Sequence, residues 1–571
     1  MLKSIYKLIF FSCILLCSTL GYSQKINELM CNDFQFISNI FATSYAPSKW
    51  KEEYFGWSLE NEINKAKTEI CNSKKITIKE YQKFLKKFFM STKDYHVGYQ
   101  FFSTEESILP FSVKKADDSY FISYIDRTVV DEQKFPFKIG DEIIEFDGKP
   151  IHQAVLEIME KNEQNTYETD LELAQIHLTS RSNIKIEEVP KGSIKIKVKE
   201  KFSDEIKSVT VDWIYTEEKI QNNPRVELKS KINDTKSVND TKSVLEEELK
   251  LNMAYQAGYN LESNNPHALG NKDGFLPDFG SMYWDLTSYY KFKTYIYKDN
   301  GKYIGYIRIP SYSVESEPDF LYDFVQIIKY MEYYTDALVI DQINNPGGSV
   351  GYLYDLASVL TTKNLDVPKH LEALNQKIVN RALKIIDILN YINSDYVAKY
   401  FFGETLLGNP VSMQLFKDIK EQHNFMIDEW NSGKLLTSAS HLFGIKQIKP
   451  HPQANYSKPI VILTNSLDFS GGDFFPAIMQ DNNRAKIIGT RTAGAGGYIN
   501  TVSYDNIFGL AIFSYTGSLA ERLNNAPIEN LGVIPDVELP FTKNDLQNNY
   551  VDYISSVNKE VQKVIESNSN K

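Results

Sequence analysis

Only four of the 571 residues are cysteine, and none belongs to a CxxC pair or a Cys/His cluster with metal-ligand spacing. A zinc ribbon and a thioredoxin-like redox site are thereby excluded. Long apolar runs are also missing: no segment reaches the ~18 consecutive apolar residues that crossing a bilayer core requires. Positive charge is in deficit, with 63 Lys and Arg against 74 Asp and Glu and a formal net charge of −11. A surface for nucleic acid or anionic lipid needs clustered Lys and Arg, so neither partner is expected. There is no GxxxxGK[ST], no GxGxxG after a strand and no HExxH. Phosphate cradles and structural zinc have little support, and neither cofactor nor metal is expected. What remains is 42% hydrophobic and 24% charged, which excludes disorder, a coiled coil and a collagen-like chain. The length suffices for two to four domains, each with its own core.

The N-terminus carries Lys3 and Lys7, the apolar run Leu8–Leu16 and the small residues of Gly21-Tyr22-Ser23. This pattern predicts a signal peptide over 1–23, cut before Gln24, and hence an exported chain, periplasmic or extracellular. An uncleaved anchor would need a longer apolar run, and Leu16 before Cys17 disfavours a lipoprotein. Cys31 and Cys71 are left in the mature chain. Export permits a disulfide between them, and two buried free thiols fit the sequence equally.

From 24 to 104 apolar residues recur at three and four positions: Trp50, Tyr54 and Trp57, then Tyr81, Phe84, Leu85, Phe88 and Phe89. They predict an N-terminal helical layer with a buried stripe. Over 105–216, short β-rich runs (Tyr120–Ile125, Glu142–Phe146, Ile194–Val198, Ser208–Trp213) alternate with turns such as Asp147-Gly148. The string from Ile139 to Pro150, followed by a helix over Ala154–Asn162, resembles a PDZ domain, which implies an extended peptide added as a strand. Over 217–281 the chain turns polar, and Asn233–Val238 is repeated at once as Asn239–Val244. A duplication this short and polar builds no core and is expected to be a loop or linker, an insertion in the fold, and a latent enzyme activated by a cut there is compatible with its composition. Residues 282–545 read as α/β. Ala337–Asp341 and Pro459–Leu463 are buried strands, each followed by a turn and a helix, with a largely helical insertion over 364–450 (Val367–Tyr391, Val411–Trp430) and a C-terminal helix or tail over 546–571.

The two strand-turn-helix junctions are where chemistry is best housed, because glycine amides at a helix N-terminus stabilise an anion. The first holds Asn344-Asn345-Pro346-Gly347-Gly348, the second Ser466-Leu467-Asp468-Phe469-Ser470-Gly471-Gly472-Asp473. Ser470-x-x-Asp473 reads as a capping box as readily as a nucleophile; a nucleophile further requires an oxyanion site, a base and a group that orients the base.

Asp341-x-x-Asn344-Asn345-Pro346-Gly347-Gly348, Ser470-Gly471-Gly472-Asp473, Gln480 to Ala485, Ile488 to Gly497 and Glu529 to Asp536 follow one another in an order that resembles the tail-specific (C-terminal processing) protease family. The resemblance covers about residues 90–150 and 300–540. It implies a PDZ-like β module joined to a crotonase-like (ClpP/crotonase) α/β core, with Ser470 as nucleophile. Many members carry the lysine of a Ser-Lys dyad at the position of Ala495, and Lys486 does not match it. The sequence is instead similar to a His-Ser-Glu branch that includes tricorn-type proteases and the chlamydial protease-like activity factor. That branch implies His96, in Ser91-Thr92-Lys93-Asp94-Tyr95-His96-Val97, as base, and Glu529 as the group that orients it. Of the eight histidines, only His96 matches a family position. An oxyanion hole is expected from the amide of Gly471 with that of Gly347 or Gly348. The implied activity is that of a secreted serine endopeptidase acting on polypeptide substrates, and a homo-oligomer is compatible with it. The alternative is an inactive binding protein for peptides or apolar ligands on the same fold.

Overall fold

The computed structural model describes residues 26–73, 76–162, 165–203, 205–220 and 265–569. The expected signal peptide and the duplicated Asn233–Val244 stretch lie outside them. Among the described residues, no helix is long and apolar enough to cross a membrane.

The N-terminal part is a helix over 26–44 followed by helices Ser48–Phe55, Leu59–Cys71 and Ile78–Ser91. Ile78–Ser91 opens on a capping box between Thr77 and Glu80 and buries Tyr81, Leu85, Phe88 and Phe89, the apolar face its periodicity predicts. These rings pack on Phe34, Ile37 and Phe41 of the first helix. A disulfide joins Cys31 to Cys71. Helix Ser48–Phe55 departs from expectation: Tyr54 is 46% exposed and the only buried residue is Lys51. Lys51 meets oxygen atoms on the inward side, and Phe55 alone of the helix packs partly against the apolar cluster.

Strands Phe111–Ala116, Ser119–Ile125, Glu142–Phe146, Ser193–Lys199 and Ile206–Asp212 pair antiparallel in that order, and helices Ile151–Asn162 and Tyr167–Thr179 cover one apolar cluster with them. Asp147-Gly148 turns Glu142–Phe146 into Lys149–Pro150, both residues taking positive φ.

The large core is a seven-stranded sheet in the order Ser281–Asp285, Thr294–Asp299, Lys302–Arg308, Ala337–Asp341, Ile460–Thr464, Lys486–Gly489 and Val537–Glu538. The first two pairings are antiparallel and the remainder parallel. Central strands Ala337–Asp341 and Ile460–Thr464 are buried throughout, as continuous apolar runs in a parallel sheet should be. Helices Glu317–Tyr334, Val350–Val359 and Gly471–Asp481 cover one face. The C-terminal helix Val551–Ser569 lays Tyr553, Val557, Val561 and Ile565 on the other.

Two expectations are corrected here. Residues 265–281 are an anchored loop and not a free spacer: Leu269, Leu276 and Phe279 are buried, and Gly270 N–H donates to Asn344 O at 2.9 Å. Three apolar side chains in a polar surround suffice to anchor a stretch whose composition reads as a loop. The insertion over 364–450 begins extended, not helical, because Lys369–Glu372 pairs with Ser518–Glu521 before the helix Gln376–Leu389. Cross-strand pairing with a distant segment overrides a local pattern that reads as helix.

Candidate active site

Both junctions leave the C-terminal ends of adjacent parallel strands, with Asp341 opposite Leu463. This is the edge where open α/β sheets place their sites. The buried carboxylate of Asp468 ties the junctions together, accepting from Asn345 N at 2.9 Å, Asn465 N at 3.1 Å and Gln342 Nε2 at 3.1 Å. Phe469 N–H donates to Asn345 O at 2.8 Å. The glycines abut as a result: a Cβ on Gly471 would lie 3.2 Å from Gly348 N. Gly348 itself tolerates no side chain, since a Cβ there would meet the Tyr312 carbonyl carbon at 2.0 Å.

Ser470 heads the helix Gly471–Asp481 at φ 58° and ψ −110°, a conformation that costs a non-glycine residue energy. It is fully buried, and its hydroxyl has no hydrogen-bond partner. The capping box is therefore half made: Asp473 accepts from Ser470 N at 2.7 Å, but the serine hydroxyl caps nothing. Asp473 also accepts from Thr492 Oγ1, from Gly494 N at 2.8 Å and from Ala495 N at 3.0 Å. One carboxylate thus fixes both the Ser470 backbone and the turn that follows strand Lys486–Gly489.

Among the expected oxyanion donors Gly347 is corrected, because its N–H already donates to Asn345 Oδ1 at 2.8 Å. The N–H groups of Gly348 and Gly471 enter none of the turn and cap bonds among the described residues.

His96 lies between the last N-terminal helix and strand Tyr99–Phe101. That strand pairs with Leu510–Thr516, while Ser514 Oγ donates to His96 O at 2.7 Å and Asp94 Oδ1 accepts from His96 N at 2.8 Å. Neither ring nitrogen has a partner, and burial lowers the imidazole to about 4. The fold brings this ring to Glu529, since one ligand atom each of Asp94, His96 and Glu529 lies within 4.8 Å of the others. Glu529 is fully buried; one oxygen takes the ammonium of Lys51 and the other Gly496 N at 2.8 Å. Burial and the Asp94 carboxylate push Glu529 above the usual range, against the pull of Lys51. Gly496 is glycine because a Cβ there would strike Glu529 N at 2.2 Å.

The cluster does not fit a metal ion. The remaining Asp94 oxygen accepts from Tyr45 OH at 2.9 Å and Thr516 Oγ1 at 2.8 Å, and an ammonium occupies Glu529, so donors already hold the carboxylate oxygens.

Tyr95 and Phe469, the residues before His96 and Ser470, meet edge-to-face with ring centroids 5.4 Å apart. Serine hydroxyl and imidazole are not hydrogen-bonded to each other in this structure, both being unpartnered. Lys486 pairs with Glu560 at 2.8 Å, and Ala495 is buried at the expected lysine position. Sequence reasoning missed Lys51, Asp94 and Asp468. Lys51 carries no signal, standing at a polar position beside an aromatic stripe. Asp473 was visible as a helix cap but not as the hub of four hydrogen bonds.

Comparison with known proteins agrees with this architecture. The PDZ domain family matches residues 105–220 and peptidase family S41 matches residues 303–539. An uncharacterized protein of Chlamydia muridarum is 34% identical over 94% of this chain and 93% of its own length. A Chlamydia pneumoniae protein is 34% identical over 97% of this chain and 93% of its own. The crystal structure of mature CPAF superimposes with a TM-score of 0.81 at 32% identity, covering 95% of this chain and 98% of that one. Its complex with lactacystin gives a TM-score of 0.80, again at 32% identity, over 95% and 99% of the two chains. With relatives this similar along nearly its whole length, the chain belongs to peptidase family S41, the tail-specific proteases, and is a serine-type peptidase.

Proposed function

We propose that this chain is an exported serine endopeptidase whose crotonase-like core uses Ser470 as nucleophile, His96 as general base and acid, and Glu529 to orient the imidazole. The observation that carries the assignment is Ser470 itself: a strained, buried serine with an unpartnered hydroxyl, next to two glycine amides unspent in turn and cap bonds. N-cap serines spend their hydroxyl on the helix; this one does not.

In the reaction His96 takes the Ser470 proton as Oγ attacks the peptide carbonyl, then gives it to the leaving amine. The amides of Gly471 and Gly348 receive the oxyanion, each donor contributing ~3 kcal/mol of barrier lowering. The imidazole is neutral at pH 7, because burial holds it at about 4, so the base form is ready. Closing the Ser470–His96 hydrogen bond falls to the substrate complex, as is common for catalytic contacts that are long in free enzymes. The N-terminal charge and apolar pattern supports export.

The test is active-site labelling with a fluorophosphonate. Wild type should label at Ser470, Ser470→Ala should not, and lactacystin, which CPAF binds, should protect the site. Labelling that survives Ser470→Ala defeats the assignment.

A further inference from the structure

The buried lysine of the N-terminal helix has no part in the reaction as described, yet it reaches the centre of the site. We infer that Lys51 is a positioning residue: its ammonium fixes the Glu529 carboxylate beside His96 and favours the ionised form of that carboxylate. The inference rests on the roles proposed for Ser470, His96 and Glu529.

Lys51 is wholly buried, as is Glu529. An ammonium has three protons to donate, and three acceptors surround this one: Glu529 Oε1, Asn530 Oδ1 at 2.8 Å and Lys93 O at 2.7 Å. A neutral amine has too few protons for that set, so the geometry selects the charged lysine. Asn530 closes the network, donating from Nδ2 to Lys93 O at 2.9 Å and accepting from Trp50 Nε1 at 3.0 Å. Three segments distant in sequence are clasped here: the helix carrying Trp50 and Lys51, the turn carrying Lys93 and His96, and the turn carrying Glu529 and Asn530.

The electrostatic consequence follows from the groups that face His96. These are the Asp94 and Glu529 carboxylates, the Lys51 ammonium and the Tyr45 phenol that donates to Asp94. Two carboxylates in one dry site repel, and without a cation one of them takes up a proton. Asp94 has three donors, counting the backbone of His96; Glu529 would have only Gly496. Glu529 is therefore the carboxyl that would be neutralised, and a neutral carboxyl cannot stabilise the imidazolium formed as Ser470 gives up its proton. Lys51 opposes this. It also repels a proton from His96 in the resting enzyme, which keeps the base free. Removing the lysine charge raises the affinity of both groups for protons, so both effects move the acidic limb of reactivity in one direction.

The experiment measures the second-order rate of fluorophosphonate labelling at Ser470 against pH, in the full chain, for wild type, Lys51→Met, Lys51→Gln and Lys51→Arg. In the Met and Gln variants the acidic limb should move up by about one pH unit or more, with labelling recovering as pH rises. Lys51→Arg keeps the charge and should hold the limb near that of wild type. A uniform fall in rate with the limb unmoved would mean that Lys51 only supports the fold, and would overturn the inference. So would a shift in the Arg variant equal to that in Met. Two neutral variants of different shape guard against a fold that rejects one of them. Absence of labelling at Ser470 in wild type would instead remove the catalytic assignment itself, a distinct result.

Discussion

Truncating Asp473 should damage the site and the fold together. Its carboxylate accepts from Ser470 N at 2.7 Å, Gly494 N at 2.8 Å, Ala495 N at 3.0 Å and Thr492 Oγ1, all in buried surroundings. Asp473→Ala removes every one of these acceptors. The threonine hydroxyl can rotate, and it still accepts from Val533 N at 2.8 Å. The three amides cannot turn, and each buried donor left unmet costs about 1–3 kcal/mol. A water entering the vacated volume would satisfy one or two of them, so a loss of about 3–5 kcal/mol is expected. That is a large share of the ~5–15 kcal/mol by which a domain is usually stable. Urea unfolding followed by circular dichroism reads the loss as a lower midpoint for the catalytic core. Labelling under native conditions reads the site, where Ser470 has lost the acceptor that pins its strained backbone. A destabilisation below about 1 kcal/mol with labelling intact would refute the reasoning, because three stranded amides cannot cost so little.

Gly348→Ala places a Cβ 2.0 Å from a backbone carbon of Tyr312, so the loop must move; labelling is expected to fall by about two orders of magnitude, the usual cost of one oxyanion donor, and a rate near wild type would acquit this amide. Replacing Cys31 and Cys71 with serine opens a bridge across a sequence separation of 40, worth about 4 kcal/mol in loop-closure entropy; thermal unfolding with and without reductant should separate wild type but not the variant. Burial holds His96 at about 4 and His267 and His370 at about 3, all below the ordinary 6.5. Their protons favour the unfolded chain, so they contribute stability above pH 6.5 that is lost as pH falls through 4 to 3. Glu372, raised to about 7 by burial, acts in the opposite sense between pH 4.5 and 7, so the histidine contribution is best read by difference. His370→Gln should lose less melting temperature than wild type between pH 6.5 and 4, and an equal loss would count against a buried neutral imidazole.

Local pattern determined a good deal of this protein. The apolar runs at Ala337–Asp341 and Ile460–Thr464 specify buried parallel strands, and the glycine-rich turns behind them specify junctions with free amides. Thr77 and Glu80 start a helix and Asp147-Gly148 starts a turn, whereas Ser470, His96 and Glu529 are proposed from the family resemblance. These features are legible because caps, turns and burial periodicity act over a few residues. Tertiary structure alone decided which buried face meets what. Helix Ser48–Phe55 carries an aromatic pattern that predicts a hydrophobic stripe, yet Lys51 faces inward because the surface awaiting it is Glu529, Asn530 and the Lys93 carbonyl. Gly347 and Gly348 are adjacent glycines with equal claims until Asn345 folds back and takes one amide. Cys31 and Cys71 were open to either state until two helices brought them together. Periodicity reports that a side chain is turned inward; the charge it meets there is set by segments hundreds of residues away, which no local pattern encodes.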